Sequence, residues 1–144
     1  MKYPRGFILL ATLLLGFWIF SAAVWLTRLA KDRQAAEITR QNWQQARLLA
    51  LSGIEYGRYL RDVGRLQELP VIRLPLRPLE PDEWPALRRK AKMIVQIPPD
   101  GSKLPDHFQL VLAYDPDNRQ IFSMGAVLNP RGVVQNQTLC KQKY

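Results

Sequence analysis

The sequence predicts an α+β protein in which a long N-terminal helix, transmembrane over its first half, packs on a small antiparallel sheet of about four strands. Three observations predict this class. An uncharged apolar run fills residues 7–27, and a helical spacing of apolar and small residues continues to residue 66. After Lys92 apolar residues instead alternate with polar ones, and turn motifs separate these runs.

The apolar run from Phe7 to Thr27 is the predicted transmembrane helix. At about 1.5 Å per residue it just crosses a hydrocarbon core of about 30 Å. A cleaved secretory signal is the alternative, because Ser21-Ala22-Ala23 resembles the small residues before a cleavage site, although the apolar run continues past them. Basic residues flank both ends, so the positive-inside rule does not decide the orientation. We expect the short N-terminal flank to stay in the cytoplasm and the rest of the chain to lie outside it.

Residues 28–66 contain no proline, and we expect them to continue the helix. Small and apolar residues at helical spacing form one predicted face, here called the packing face: Ala46, Leu49, Ala50, Gly53, Tyr56 and Gly57. Each glycine costs about 1 kcal/mol of helix propensity relative to alanine, so the close approach of another element explains both. That element is either the sheet of the same chain or the helix of a neighbouring subunit.

Residues 67–91 form a predicted proline-rich connector that contains one short helix. Its prolines and its candidate anchoring leucines are Pro70, Pro75, Pro78, Pro81, Pro85, Leu74, Leu76 and Leu79. The short helix is expected to begin at Asp82 as its N-cap and to run to Lys90, since proline is tolerated in a first turn. We expect Trp84 to join the core. The helix end carries a basic cluster, consisting of Arg88, Arg89, Lys90 and Lys92.

Residues 92–144 form the predicted antiparallel β domain. Apolar and polar residues alternate over four runs, and we expect strands at 93–97, 108–114, 120–124 and 133–139. Turn motifs rich in proline, glycine, aspartate and asparagine lie between them, at 98–101, 115–118 and 129–132. Four strands of this length can cover one face of a helix.

The residue types limit the chemistry available to the chain. Cys140 is its single cysteine and His107 its single histidine, so a disulfide within the chain, a metal-ligand cluster and a Cys–His or Ser–His–Asp constellation cannot be built. No glycine-rich phosphate loop is present. We therefore expect no enzymatic activity, no cofactor, no metal and no small-molecule substrate, and we expect Cys140 to be buried and inert.

The chain is basic, with a formal net charge of +9 and an isoelectric point of about 10.1. Such a balance suits DNA, anionic lipid or an acidic protein as a partner. Apart from the basic cluster, however, the charges are scattered along the sequence. Scattered charge favours solubility over specific recognition.

The residues before the apolar run carry a further pattern. A basic leader ends in Arg5-Gly6, and Phe7 follows. This layout resembles type IV pilin-like proteins, in which a dedicated prepilin peptidase cuts after the glycine and methylates the new N-terminus. The resemblance implies a leader at residues 1–6 and processing at Gly6 and Phe7. A glycine suits such a site because no side chain blocks the approach of the protease to the backbone.

Two more blocks carry this resemblance. The run Leu49–Gly57 is similar to a segment of PilX-like minor pilins and K-type minor pseudopilins at the same distance from the span, and Ser123–Gly125 resembles a step near the end of PilX-like subunits. Small prepilin-peptidase-dependent proteins are a third similar group. Major pilins carry a glutamate as the fifth mature residue, where this chain has Ala11. Because an unpaired carboxylate is costly in lipid, Ala11 is typical of a subunit that meets no partner amine, as at a fibre tip.

The resemblance implies a structural subunit, a minor pilin or pseudopilin that primes or caps a type IV pilus, a type II secretion fibre or a DNA-uptake fibre. It would sit in the inner (cytoplasmic) membrane as a single-pass protein with its C-terminal domain extracytoplasmic. The implied partners are the inner membrane, other pilin-like subunits and the prepilin peptidase. Two alternatives stay open: an uncleaved single-pass envelope protein whose basic domain binds a membrane partner, and a minor pilin that binds DNA.

Overall fold

The computed structural model describes residues 5–75, 77, 79–80, 82–97 and 102–144. It confirms the predicted α+β class, because a long N-terminal apolar helix packs on a four-stranded antiparallel sheet. The predicted turn at 98–101 and most of the predicted leader lie outside the described residues. The chain divides into two compact units, Met1–Thr39 and Arg40–Tyr144.

The long helix, α1, spans Arg5–Asp62. In the N-terminal unit its large apolar side chains, from Phe7 to Leu26, are exposed. In the second unit one side of the helix is buried, including Ala46, Ala50 and Leu60. Burial against the sheet stabilises this second part, since most helical stability in proteins comes from packing rather than from propensity.

Helix α1 ends four residues before the predicted boundary at 66. Gly64 adopts a φ of 72°, a left-handed conformation that glycine reaches without steric cost. Its N–H donates to the carbonyl oxygen of Arg61 at 3.0 Å, and the N–H of Arg65 donates to that of Leu60 at 2.7 Å. These two bonds form a Schellman motif, which satisfies carbonyl groups of the last turn and reverses the chain.

The connector contains a 3-10 turn, Leu66–Glu68, and a short helix, α2, Trp84–Lys90. Helix α2 begins one residue later than predicted, because its N-cap residue is Glu83 rather than Asp82. The Glu83 carboxylate accepts hydrogen bonds from the backbone N–H of Glu80 and from the Arg77 guanidinium instead of capping the helix with its side chain. This contact ties the segment before α2 to its first turn.

The main sheet has the strand order β1-β4-β5-β6, with each neighbouring pair antiparallel, and β2 and β3 form a separate small hairpin. The strands are β1 Lys92–Ile94, β2 Gln96–Ile97, β3 Ser102–Lys103, β4 Phe108–Asp115, β5 Gln120–Leu128 and β6 Val134–Lys143. Strands β5 and β6 each extend four residues beyond the predicted ends, because Gly125 and Ala126 of β5 and the lysines of β6 pair within the ladder despite their low strand propensity.

The sheet is covered on both faces. On one face Leu60 of α1 packs with Leu110 and Leu112 of β4. On the other face the connector and α2 contribute to a core built around Phe122 and Met124 of β5. The members that come from the connector and α2 are Ile72, Leu74, Leu79, Trp84, Leu87 and Ala91. Two of the leucines expected to anchor the connector therefore do so, whereas the third, Leu76, lies outside the described residues.

A buried carboxylate joins the connector to the sheet. Asp115, at the end of β4, is fully buried and accepts a hydrogen bond from the N–H of Leu74 at 3.1 Å. It also accepts bonds from the N–H groups of Asp117 and Asn118 and from the Asn118 side-chain amide. Burial raises the pKa of Asp115, but the hydrogen bonds together lower that pKa by more than burial raises it. The pKa of Asp115 therefore lies below its ordinary value.

Replacement of Asp115 by asparagine removes the charge and turns one acceptor oxygen into a donor that faces N–H groups. We expect D115N to lower the free energy of unfolding by about 2–3 kcal/mol at neutral pH. The carboxylate stabilises fully above the unfolded-state pKa, about 3.9, and its contribution is lost as pH falls through the lower folded-state pKa. The difference between the wild type and D115N should therefore shrink below about pH 4.

The measurement is denaturant unfolding of the full chain in detergent at several pH values. The matched control is D117N, because Asp117 lies in the same turn but is exposed, and its carboxylate forms an ion pair with Arg73 at the surface. We expect D117N to change the free energy of unfolding by less than about 1 kcal/mol. Equal losses in the two variants would show that the buried hydrogen bonds of Asp115 do not stabilise the fold.

Candidate functional site

The packing face of α1 lies against the sheet of the same chain. Four of its predicted members are buried, namely Ala46, Ala50, Gly53 and Gly57, and Leu49 and Tyr56 are half-buried. Ile54 is also buried but was not part of the predicted face. The burial of Ile54 could have been predicted from its position between Gly53 and Gly57. The helix face that packs on a sheet is wider than the single row of residues spaced three and four apart.

Small residues let the helix and β5 approach each other closely. A Cβ atom added to Gly125 of β5 would overlap the carbonyl oxygen of Ala46 and lie 2.7 Å from the backbone nitrogen of Ala50. A Cβ atom added to Gly57 would lie 2.6 Å from Cγ2 of Ile121, and one added to Gly53 would overlap Oγ of Ser123. The close contact between α1 and β5 therefore requires glycine on both elements, at Gly53 and Gly57 of the helix and at Gly125 of the strand.

The contact brings together two of the sequence blocks described above. Ser123 and Gly125 of the second block face Gly53, Ala46 and Ala50 of α1. Of the two elements considered as neighbours of the packing face, the sheet of the same chain occupies this position. At these glycines the sheet leaves no space for the helix of another subunit.

Polar groups lie close to the contact. Among the described residues, the buried hydroxyls of Ser123 and Thr138 have no hydrogen-bond partner. Cys140 of β6 pairs in register with Ser123 and is half-buried. Burial raises the pKa of its thiol, and the nearby charge of Arg47 lowers it by less. The thiol is thus protonated at neutral pH, which makes it a poor nucleophile.

The side of α1 that faces away from the sheet carries exposed apolar side chains. In the second unit these include Leu48, Leu51 and Tyr59, and Arg47 lies over the ring of Trp43 at 5.7 Å. The apolar run at residues 48–51 is a signal for this surface that can be read from the sequence, since consecutive residues point to different sides of a helix. The surface was not among the predicted sites.

The basic cluster lies at the end of α2 and the start of β1. Lys92 is 3.9 Å from Glu68, whereas Arg88, Arg89 and Lys90 form no ion pair with any described acidic residue. Lys90 also borders a shallow hollow together with Arg73 of the connector. Cations in the last turn of a helix interact favourably with its dipole, so part of this arrangement stabilises α2 itself.

The predicted processing residues, Gly6 and Phe7, lie in the first turns of α1. Nothing described lies within 4 Å of a Cβ atom placed on Gly6, so no packing contact within the chain requires a glycine there. By length and composition, α1 is the one helix among the described residues that is long and apolar enough to cross a membrane. The described part of the chain contains no group of three histidine, cysteine, aspartate or glutamate side chains placed to hold a metal ion.

Substitutions at the glycines test the helix–sheet contact. We expect Gly125→Ala to destabilise the protein by about 3 kcal/mol, because the added Cβ meets backbone atoms of α1 that cannot move independently. Gly53→Ala should cost less, about 1–2 kcal/mol, because the obstructing atoms belong to side chains. Thermal unfolding of the full chain in detergent measures both.

Gly16→Ala is the matched control, since nothing lies within 4 Å of a Cβ atom at this helical position. It should leave the unfolding temperature unchanged or slightly higher. Combining Gly53→Ala with Ser123→Gly should recover part of the loss, because the second change removes the obstructing hydroxyl. A Gly125→Ala variant as stable as the control would be incompatible with the observed contact.

No family model matches the chain, and comparisons with curated proteins and with solved structures give no significant match.

Proposed function

We propose that the chain is a membrane-anchored, pilin-like structural subunit, a minor pilin or pseudopilin that takes part in priming or capping a type IV pilus, type II secretion or DNA-uptake fibre. The observation that carries the proposal is the helix α1. It begins at Arg5, exposes its apolar side chains from Phe7 onward, and includes the segment that packs on the sheet. Its partners would be the inner membrane, other pilin-like subunits and the prepilin peptidase.

The helix–sheet contact gives further support. The two blocks of resemblance that lie outside the leader meet at Gly53 and Ser123, and Gly125 requires small residues on the helix that faces it. Chance similarity in two short segments would not require them to touch. The two segments therefore behave as parts of one structural unit, as expected if the resemblance reflects a common architecture.

The surroundings of Gly6 are compatible with proteolytic processing. Nothing described lies within 4 Å of a Cβ atom placed on Gly6, and the side chain of Phe7 is exposed. No packing contact among the described residues therefore covers the bond between them. In the proposed function the mature helix begins at Phe7, and Ala11 lies in its apolar segment where a major pilin has a carboxylate.

The test is the mature N-terminus, determined by intact mass of the full chain expressed with and without a prepilin peptidase. We expect a chain that starts at N-methylated Phe7 only when the peptidase is present. Gly6→Leu should block this processing, because the side chain would hinder the approach of the protease to the backbone. Gly16→Leu is the control, since Gly16 is likewise a helical glycine without neighbours, and it should be processed normally.

Two outcomes would contradict the proposal. A chain that keeps residues 1–6 in the presence of the peptidase would be an uncleaved single-pass envelope protein, whose basic domain would bind a membrane partner. A cut after Ala23 would identify the apolar run as a secretory signal.

A second candidate function, DNA binding by a subunit of the same architecture, is favoured by the basic cluster. Arg88, Arg89 and Lys90 sit together on one short helix without ion pairs to described acidic residues. Phosphate contacts release counterions, so binding would weaken steeply as salt rises. Each lost contact should reduce the slope of log affinity against log salt by about 0.9.

The triple variant Arg88→Gln, Arg89→Gln and Lys90→Gln should therefore reduce this slope by about 2–3 for a duplex oligonucleotide. The control is Lys103→Gln with Arg131→Gln, two basic residues outside the cluster. Fluorescence anisotropy of the labelled duplex, with the full chain in detergent, measures the slope. Binding that is absent at low salt, or equally affected by both variants, would exclude the cluster as a DNA site.

A further inference from the structure

The two outer edges of the main sheet differ in length and in how far other segments cover them. Strand β1 at one edge has three residues, and beside it the connector pairs with β4 through the N–H of Ile72, which donates to the carbonyl oxygen of Tyr114 at 2.9 Å. Strand β6 at the other edge has ten residues. One edge is thus short and partly covered by the connector, and the other is long.

The backbone of β6 from Asn136 to Lys143, on the side away from β5, is here called the open edge. Over these residues the register with β5 is regular, and the one register shift lies before them, between Val127 and Leu128. In an antiparallel strand alternate residues direct both N–H and C=O away from the paired neighbour. No described backbone group outside β5 hydrogen-bonds to the open edge. A row of outward donors and acceptors is therefore available.

Natural proteins usually protect such an edge with proline, charge, a short strand or a covering segment. Strand β6 contains no proline, and from Val134 to Cys140 it contains no charged residue. Charges occur only at its end, in Lys141 and Lys143. These two residues point to the same face of the sheet, that of Phe122, with which Lys141 is paired in register. Neither forms an ion pair with a described acidic residue.

From this edge and its charges we infer that the open edge binds an extended acidic segment of a partner protein, which adds to the sheet as a fifth strand. The backbone of β6 would supply the affinity, as in other cases of strand addition. The two lysines would set the direction, because a partner strand in antiparallel orientation places its first residues beside Lys143. Acidic side chains two residues apart in the partner would then face both lysines. This inference holds whether or not the chain is processed as a prepilin.

The probe is a labelled synthetic peptide of eight residues, acetyl-Glu-Val-Glu-Thr-Val-Thr-Val-Thr-amide. It is matched by the same peptide with N-methyl groups on alternate residues, in both possible phases. We expect the unmodified peptide to bind the full chain in detergent, measured by fluorescence anisotropy. One methylated phase, which lacks the N–H groups that face β6, should bind at least tenfold more weakly. Hydrogen exchange should show protection by the peptide in β6 and not in β1.

Charge reversal tests the role of the lysines. Lys141→Glu with Lys143→Glu should weaken binding of the peptide by about fivefold or more, as expected for two exposed ion pairs replaced by repulsion. The same variant should bind a peptide with lysine in place of both glutamates more tightly than the wild type does. The control, Lys103→Glu with Arg131→Glu, changes the net charge equally but lies in β3 and in the turn between β5 and β6, and it should leave binding of the first peptide unchanged.

Several results would overturn the inference. If the lysines serve only to keep the edge unpaired, no peptide will bind and no amide of β6 will gain protection. Equal binding of both methylated phases would mean that the contact does not use the backbone. Protection of β6 that rises with protein concentration in the absence of peptide would assign the edge to a second copy of this chain instead.

Discussion

The rest of the compact unit depends on the short distance between α1 and β5. Gly125 has no room for a side chain because the backbone of α1 at Ala46 and Ala50 occupies that space. On the helix, Gly53 and Gly57 likewise have no room for a side chain, because residues of the sheet lie against them. This contact fixes which face of the sheet the helix covers. Once that face is fixed, Leu60, Leu110 and Leu112 bury one another and the opposite residues of β4 and β5 must be covered by another segment.

The connector provides that second cover, although its prolines prevent regular structure over most of its length. It is held by apolar contacts, by its pairing with Tyr114 and by the buried Asp115 carboxylate. A buried charge is tolerated there because it accepts four hydrogen bonds, which more than offset its desolvation. The sheet therefore lies between two layers of different kinds, one a regular helix and the other an irregular chain fastened at a few points.

Much of this fold follows from local sequence patterns. The apolar run, the change of period near Lys92 and the turn motifs at 115–118 and 129–132 predict the elements and their order, because each depends on neighbouring residues. Gly64 is also a local signal for the end of α1. The apolar residues around it keep a helical spacing, however, and this spacing predicts a helix that continues to residue 66. The extra length of β5 and β6 and the partners of each glycine depend on packing between distant segments. The open edge likewise could not be predicted, since it is defined by which strand comes last in the sheet.

The direction of the helix relative to β5 has a mechanical consequence. Residues of α1 from Ala46 to Gly57 meet β5 in reverse order, from Gly125 to Ile121, so the two elements run antiparallel along about 16 Å of helix. A force applied along the helix axis would load these contacts together, in shear, instead of opening them one after another. An interlocked row of this kind resists tension far better than the same contacts would resist peeling.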